Sequence, residues 1–257
     1  MDGVDHRVRW TYSSSDWPRD TMGALIYSDG TVGCTATLFS SQLVATAAHC
    51  IFGCNNTLNL PSKFAAGMDG TTIPYTEESI NGYWYQTAYR TNNCNACTVN
   101  STCTPYDIAF LSLGGRIGQT TGWMGWYWAS SDSTVAGWTQ FNMGYPECSQ
   151  CGAPSGCVQN SMWGDWGSCG MGSFFDPVNG VNRNYKFGCD TSAGHSGGPL
   201  YTWAPNGCSS FPCIVGIDLA QDCCGSACSN TASTPNTAYR IVQTDSNVMA
   251  SLQSMFP

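Results

Sequence analysis

The sequence predicts an all-β protein that ends in a single α-helix. Short runs rich in Val, Thr, Tyr and Trp recur along most of the chain, and clusters of Gly, Asn, Ser and Pro separate them. Helical periodicity is convincing only at the C-terminal end. Taken in order, Thr35-Ala36-Thr37-Leu38 and Leu43-Val44-Ala45-Thr46 read as two short strands. Asp107 heads an alternating, largely apolar run, Ile108-Ala109-Phe110-Leu111-Ser112-Leu113, which reads as a buried strand. Val248, Met249, Leu252, Met255 and Phe256 fall on one helical face, with Thr244 or Asp245 as the cap.

The 257 residues suit one domain or two small lobes, and 42% hydrophobic residues with 12% aromatics are ample for a core. A net charge of −8 argues against nucleic acid and anionic membrane surfaces as partners. No apolar stretch approaches the ~18 residues needed to span a bilayer. Met1-Asp2-Gly3 reads as the start of a mature chain, without a signal peptide. Ten tryptophans are scattered rather than set in a stripe, which favours packing over a carbohydrate platform. Asn55-Asn56-Thr57 and Asn100-Ser101-Thr102 would accept N-glycans if the source is a eukaryote. Nothing calls for a cofactor, and a monomer is expected.

Sixteen cysteines, an even number, point to as many as eight disulfides and an oxidising, extracellular compartment. Cys94-x-x-Cys97 and Cys148-x-x-Cys151 have zinc-like spacing, but no suitable histidine lies near either pair, so no metal site is expected. The groups Cys94/Cys97/Cys103, Cys148/Cys151/Cys157 and Cys208/Cys213/Cys223/Cys224/Cys228 look like stapled surface loops. A bridge between Cys34 and Cys50 would close a hairpin-like loop over the two short strands and pin the turn at His49.

The chain has three histidines, and two of them sit in its most telling strings. His49 closes Thr46-Ala47-Ala48-His49-Cys50, and His195 precedes the serine in Gly194-His195-Ser196-Gly197-Gly198-Pro199. A serine hydroxyl is a poor nucleophile until an imidazole can take its proton. Gly-x-Ser-x-Gly also fits the elbow of α/β-hydrolases, but their chain order ends in histidine and none follows Ser196. The order His49, Asp107, Ser196 can be built instead. Taken alone, Asp107 reads as a turn residue capping its strand; taken with the other two strings, it reads as the group that orients His49.

These strings, with Gly33-Cys34-Thr35-Ala36-Thr37, resemble those of trypsin/chymotrypsin-type serine proteases. The resemblance is closer to the V8-like glutamyl endopeptidase branch. Gly3-Val4-Asp5-His6-Arg7-Val8-Arg9 is similar to that branch's mature amino-terminal segment. Thr121-Gly122-Trp123-Met124-Gly125-Trp126, Gly144-Tyr145-Pro146, Asp190-Thr191-Ser192-Ala193-Gly194 and Asn236-Thr237-Ala238-Tyr239-Arg240-Ile241 resemble further strings of it. The stretch from about Cys148 to Asn184 matches none.

The resemblance implies two antiparallel six-stranded barrels with a cleft between them. Residues 1–118 would carry His49 and Asp107, residues 119–257 would carry Ser196 and the terminal helix, and the crossover would lie near Gly114–Gly122. It implies a secreted endopeptidase acting on proteins or peptides. Ser196 would be nucleophile, His49 general base and Asp107 its orienter, with the N–H groups of Gly194 and Ser196 as oxyanion hole. Asp190, Thr191, Ser192, Asp218, Leu219 and Ala220 would contact substrate.

Two departures stand out. His195 occupies the place of the trypsin aspartate that pairs with a new amino terminus, and no Ile-Val-Gly-Gly start exists, so that activation switch is absent. His195 itself is expected to be structural, and His6 to be a surface or docking residue. The branch's pocket string Gly-Ile-His reads Gly216-Ile217-Asp218 here. A carboxylate there repels an acidic substrate side chain and attracts a basic one. The expected preference at P1, the residue on the amino side of the cleaved bond, therefore shifts from Glu towards Lys or Arg. Retained Glu specificity, or an inactive homologue serving as a binding module, are the alternatives.

Overall fold

The computed structural model describes residues 4–13, 16–95, 101–150, 152–165, 167, 169–204, 207–208, 210–220 and 235–257. A short strand, β1 (Arg7–Arg9), comes first, and six antiparallel strands then close into a barrel. They are β2 (Met22–Ile26), β3 (Val32–Leu38), β4 (Leu43–Thr46), β5 (Lys63–Ala66), β6 (Glu77–Tyr85) and β7 (Ala109–Leu113). Their order around the barrel is β2-β3-β4-β7-β6-β5. β2, β4 and β7 are buried along their whole length, which accounts for their near-continuous apolar sequences. Small residues (Ala24, Ala36, Ala45, Ala65) alternate with large ones (Leu25, Leu38, Phe64, Phe110) in the core, as filling a narrow barrel requires.

The second unit is a nine-stranded sheet. It contains β8 (Gly125–Trp126), β9 (Phe141–Gly144), β10 (Trp163–Asp165), β11 (Met171–Val178) and β12 (Val181–Phe187). β13 (Pro199–Thr202), β14 (Cys213–Ala220), β15 (Asn236–Arg240) and β1 complete it. The order is β1-β10-β9-β13-β14-β15-β12-β11, with β8 parallel to β14. A single bridge between Gln140 and Cys169 joins the residue ahead of β9 to the segment entering β11. That bridge gathers β9-β13-β14-β15-β12-β11 into a ring of six strands, so the expected second barrel is present with β1, β8 and β10 added to it. β1 precedes the first barrel in sequence yet hydrogen-bonds to β10, with Arg7 opposite Asp165 and Arg9 opposite Trp163.

The C-terminal helix spans Gln243–Met255. Its apolar face is narrower than the periodicity suggests: Met249 and Leu252 are buried, whereas Val248 and Met255 are exposed. Thr244 is already inside the helix. Asp245, in its first turn, accepts the Val242 N–H at 3.1 Å and so caps the helix from within. The helix leaves the second unit and docks on the first, with Phe256 edge-on to Trp84 of β6. Gln86, just after β6, donates to the Tyr239 hydroxyl at 2.7 Å and to Asp245 at 3.0 Å, adding a polar tie between the units.

Disulfides join Cys34–Cys50, Cys94–Cys103, Cys148–Cys157, Cys169–Cys189 and Cys208–Cys213, and none of the described cysteines is free. Bonded sulfurs supply no thiolate, so Cys94 and Cys148 are not metal ligands. Cys97, Cys151, Cys223, Cys224 and Cys228 lie outside the described residues. Among the described residues, no helix is long and apolar enough to cross a membrane.

Candidate active site

Pairing of β4 with β7 places Thr46 opposite Ala109, so the turns just beyond Thr46 and just before Ala109 are neighbours. His49 lies on the first, in the short helix Ala48–Cys50, and Asp107 on the second, after the short helix Thr104–Tyr106. The His49 N–H donates to one Asp107 oxygen at 2.8 Å, and Nδ1 lies 2.8 Å from the other. With both oxygens committed to one residue, the carboxylate fixes the ring and holds the proton on Nδ1. Nε2 is left as the acceptor. The Cys34–Cys50 disulfide ties the residue after His49 to β3.

Burial pulls the His49 pKa down, but the charge and hydrogen bond of Asp107 outweigh it and Asp218 adds to them, so the net shift is upward. A base must be deprotonated to act. The acidic limb of kcat/KM is therefore expected to have its midpoint above the ordinary imidazole value of about 6.5. Asp107→Asn should move that limb down; a pH–rate profile of both proteins checks it.

Ser196 sits on a tight turn between two glycines of positive φ, Gly194 at +92° and Gly197 at +83°. A Cβ on Gly194 would lie 2.1 Å from the Tyr145 carbonyl oxygen, and one on Gly197 would lie 2.1 Å from Thr46 Oγ1. Only glycine fits either place. The turn is held from the first barrel: the Thr35 N–H donates to the Ser196 carbonyl and its hydroxyl to the Gly194 carbonyl, both at 2.8 Å. From the second unit, the Gly197 N–H donates to the Asp218 carbonyl at 2.8 Å. The Ser196 hydroxyl donates to the Leu219 carbonyl at 3.2 Å. Among the described residues, the N–H groups of Gly194 and Ser196 have no acceptor.

His195 is fully buried, and its pKa is pulled down to about 3 by burial and by the charge of Arg7. Its neutral ring accepts the Ser192 N–H at 3.4 Å, as a structural residue would. Asp190 is buried and accepts the backbone N–H of the exposed His6 at 2.8 Å. Thr191 is buried with its hydroxyl unpartnered, and Leu219 is buried with its carbonyl facing Ser196. The backbone of Ala220 pairs with Thr237; its side chain lies outside the described residues.

Arg7 is the residue that sequence reasoning missed. Its guanidinium is buried, bonded to Asp5 through Nε and Nη2, and donates to Ser192 Oγ at 2.9 Å and the Gly152 carbonyl at 2.5 Å. The nearby Asp5 was the available signal, since a buried arginine needs an acidic partner.

Asp218 is 1% exposed, and its Oδ2 has no hydrogen-bond partner. Burial raises its pKa to about 8, against the opposing charges of His49 and Arg7. Because the folded value stands above the ordinary 3.8, the folded state holds the proton more tightly than the unfolded chain. Stability from this group is thus lost as pH rises between about 4 and about 8. Asp218→Asn is expected to raise Tm at pH 9 and to flatten its decline from pH 5; an unchanged decline in thermal melts would contradict this.

Cys34, His49 and Cys50 present ligand-type atoms within 4.8 Å of one another, but the two sulfurs are bonded to each other and offer no thiolate. The model of the trypsin family matches residues 9–242 of the chain. The protein belongs to the trypsin family. Within it, similarity runs towards the glutamyl endopeptidases. The chain is 25% identical over 221 residues to the glutamyl endopeptidase of Bacillus licheniformis, covering 84% of this chain and 59% of that protein. It is 27% identical over 204 residues to a Bacillus subtilis protein named extracellular metalloprotease, covering 77% of this chain and 56% of that one. The chain therefore spans a little over half the length of these relatives. A solved Glu endopeptidase structure shares the fold at TM-score 0.73 and 17% identity, covering 98% of this chain and 99% of that one.

Proposed function

We propose that the protein is a secreted serine endopeptidase whose nucleophile, base and orienter are Ser196, His49 and Asp107. The two-oxygen grip of Asp107 on His49 carries this reading. Ser196 turns its hydroxyl from the Leu219 carbonyl towards His49 Nε2 and attacks the substrate carbonyl carbon. His49 takes the proton and returns it to the leaving amine, and water then hydrolyses the acyl-enzyme. The amides of Gly194 and Ser196 receive the charge that develops on the carbonyl oxygen. Residues 1–118 and 119–257 act as the two lobes, with β1 reaching across to the second. Disulfides throughout the described chain support an extracellular setting. Protein or peptide substrates and a monomeric enzyme are part of the reading.

The inferred P1 preference is Lys or Arg. Asp190 and Asp218 bring two carboxyl groups to the stretches flanking Ser196, and Arg7 is already engaged by Asp5, Ser192 and Gly152. A fluorophosphonate is expected to label one serine per molecule, mapped by peptide mass to Ser196. A folded protein that takes no label would point to a binding module instead. A cleavage profile on denatured protein tests P1, and dominant cutting after Glu would overturn the Lys/Arg reading.

A further inference from the structure

Among the described residues of the stretches flanking Ser196, three buried polar atoms are left without partners: Asp218 Oδ2, Thr191 Oγ1 and His195 Nε2. Such orphans carry a desolvation cost that a ligand can relieve by supplying the missing bond. Asp218 is fastened against the nucleophile's turn, its carbonyl accepting the Gly197 N–H and its N–H donating to the Gly198 carbonyl, each at 2.8 Å. We propose that Asp218 reads the P1 side chain as a proton-gated charge: with its proton on, the site accepts uncharged side chains, and with it off, the site selects Lys and Arg. This rests on the endopeptidase reading with basic P1 preference and adds its regulation.

The groups that act on Asp218 come from three elements. His49 follows β4, Arg7 lies on β1, and Tyr185 lies on β12. Arg7 keeps its charge at any working pH, and burial pushes the Tyr185 hydroxyl well above its ordinary range. Of these groups, His49 is thus the one whose charge changes alongside that of Asp218. Their effects separate cleanly. His49 must be neutral for every substrate, so its ionisation cancels in a ratio of two substrates cut at the same bond. Asp218 does not cancel. A cationic P1 group needs the carboxylate, and binding it below the Asp218 pKa releases a proton to solvent. An uncharged amide can bond to the carboxylic acid and releases none.

The test compares paired peptides that differ only at P1, Arg against Gln, with a Glu peptide alongside, over pH 5.5–9.5. In the parent enzyme the Arg/Gln ratio of kcat/KM should climb about tenfold per pH unit up to about pH 8. In Asp218→Asn the ratio should be low and flat. An Arg/Gln ratio above one but constant with pH in the parent enzyme would overturn the gate and leave the Lys/Arg reading standing. A Glu peptide cut best at every pH would sink the Lys/Arg reading itself. A slope that persists in Asp218→Asn would assign the titration to another group and would also overturn the proposal. The parent profile needs no variant, so the test survives if the substitution impairs folding.

Discussion

Ser196→Ala is expected to lower kcat by at least ~10⁴-fold while leaving the melting temperature within about 2 °C of the parent. The hydroxyl makes one hydrogen bond, to the Leu219 carbonyl at 3.2 Å, and fills no cavity whose loss would loosen the core. The turn that carries it is fixed by backbone and by Thr35, neither of which the substitution touches. The variant should retain its affinity for peptide substrates, so tight binding with no turnover is the signature. Cleavage of casein near the parent rate would show that the nucleophile lies elsewhere.

Gly194→Ala should be damaging in both activity and stability. At φ +92° an alanine is strained by about 1–3 kcal/mol before any contact is considered. Its Cβ also meets the Tyr145 carbonyl oxygen at 2.1 Å and the Glu147 nitrogen at 2.8 Å, both backbone atoms that cannot swing aside. The turn must shift, and with it the two amides proposed to bind the substrate oxygen. Loss of an oxyanion donor costs roughly 10²–10³ in kcat, and the strain should lower Tm by about 5 °C or more. Stopped acylation with unchanged KM, read by burst kinetics, would separate this effect from a binding defect; full activity in Gly194→Ala would refute the assignment of these amides.

The parts of the fold legible in the sequence were those whose patterns are local. β3 and β4 appear where their Thr- and Val-rich runs stand, and β7 follows Asp107. Less legible was the stretch from Cys148 to Asn184, which holds β10, β11 and most of β12. Its one strong cue is Asn179-Gly180, the pair that favours a two-residue hairpin turn, and both residues have positive φ, at 52° and 79°. The terminal helix was read too generously because periodicity counts apolar residues without knowing how wide a face the barrel offers.

At the site, the His49, Asp107 and Ser196 strings were visible because chemistry restricts residue type and spacing. Arg7 was not, because its partners Ser192 and Gly152 lie far along the chain and only folding brings β1 to them. The state of Asp218 was equally hidden. The sequence shows a carboxyl group and hence a charge, whereas burial, with Oδ2 unpartnered, raises its pKa to about 8.

The bonds from Thr35 to Ser196 and Gly194 bear on how freely this architecture can be recombined. A chimera that joins one relative's first barrel to another's second unit imports Ser196 in one half and part of the scaffold of its turn in the other. Where the incoming barrel lacks a hydroxyl at the Thr35 position, the Gly194 carbonyl loses its donor and the Tyr145 N–H loses its acceptor, 3.0 Å away, in the same stroke. The halves are therefore not interchangeable parts.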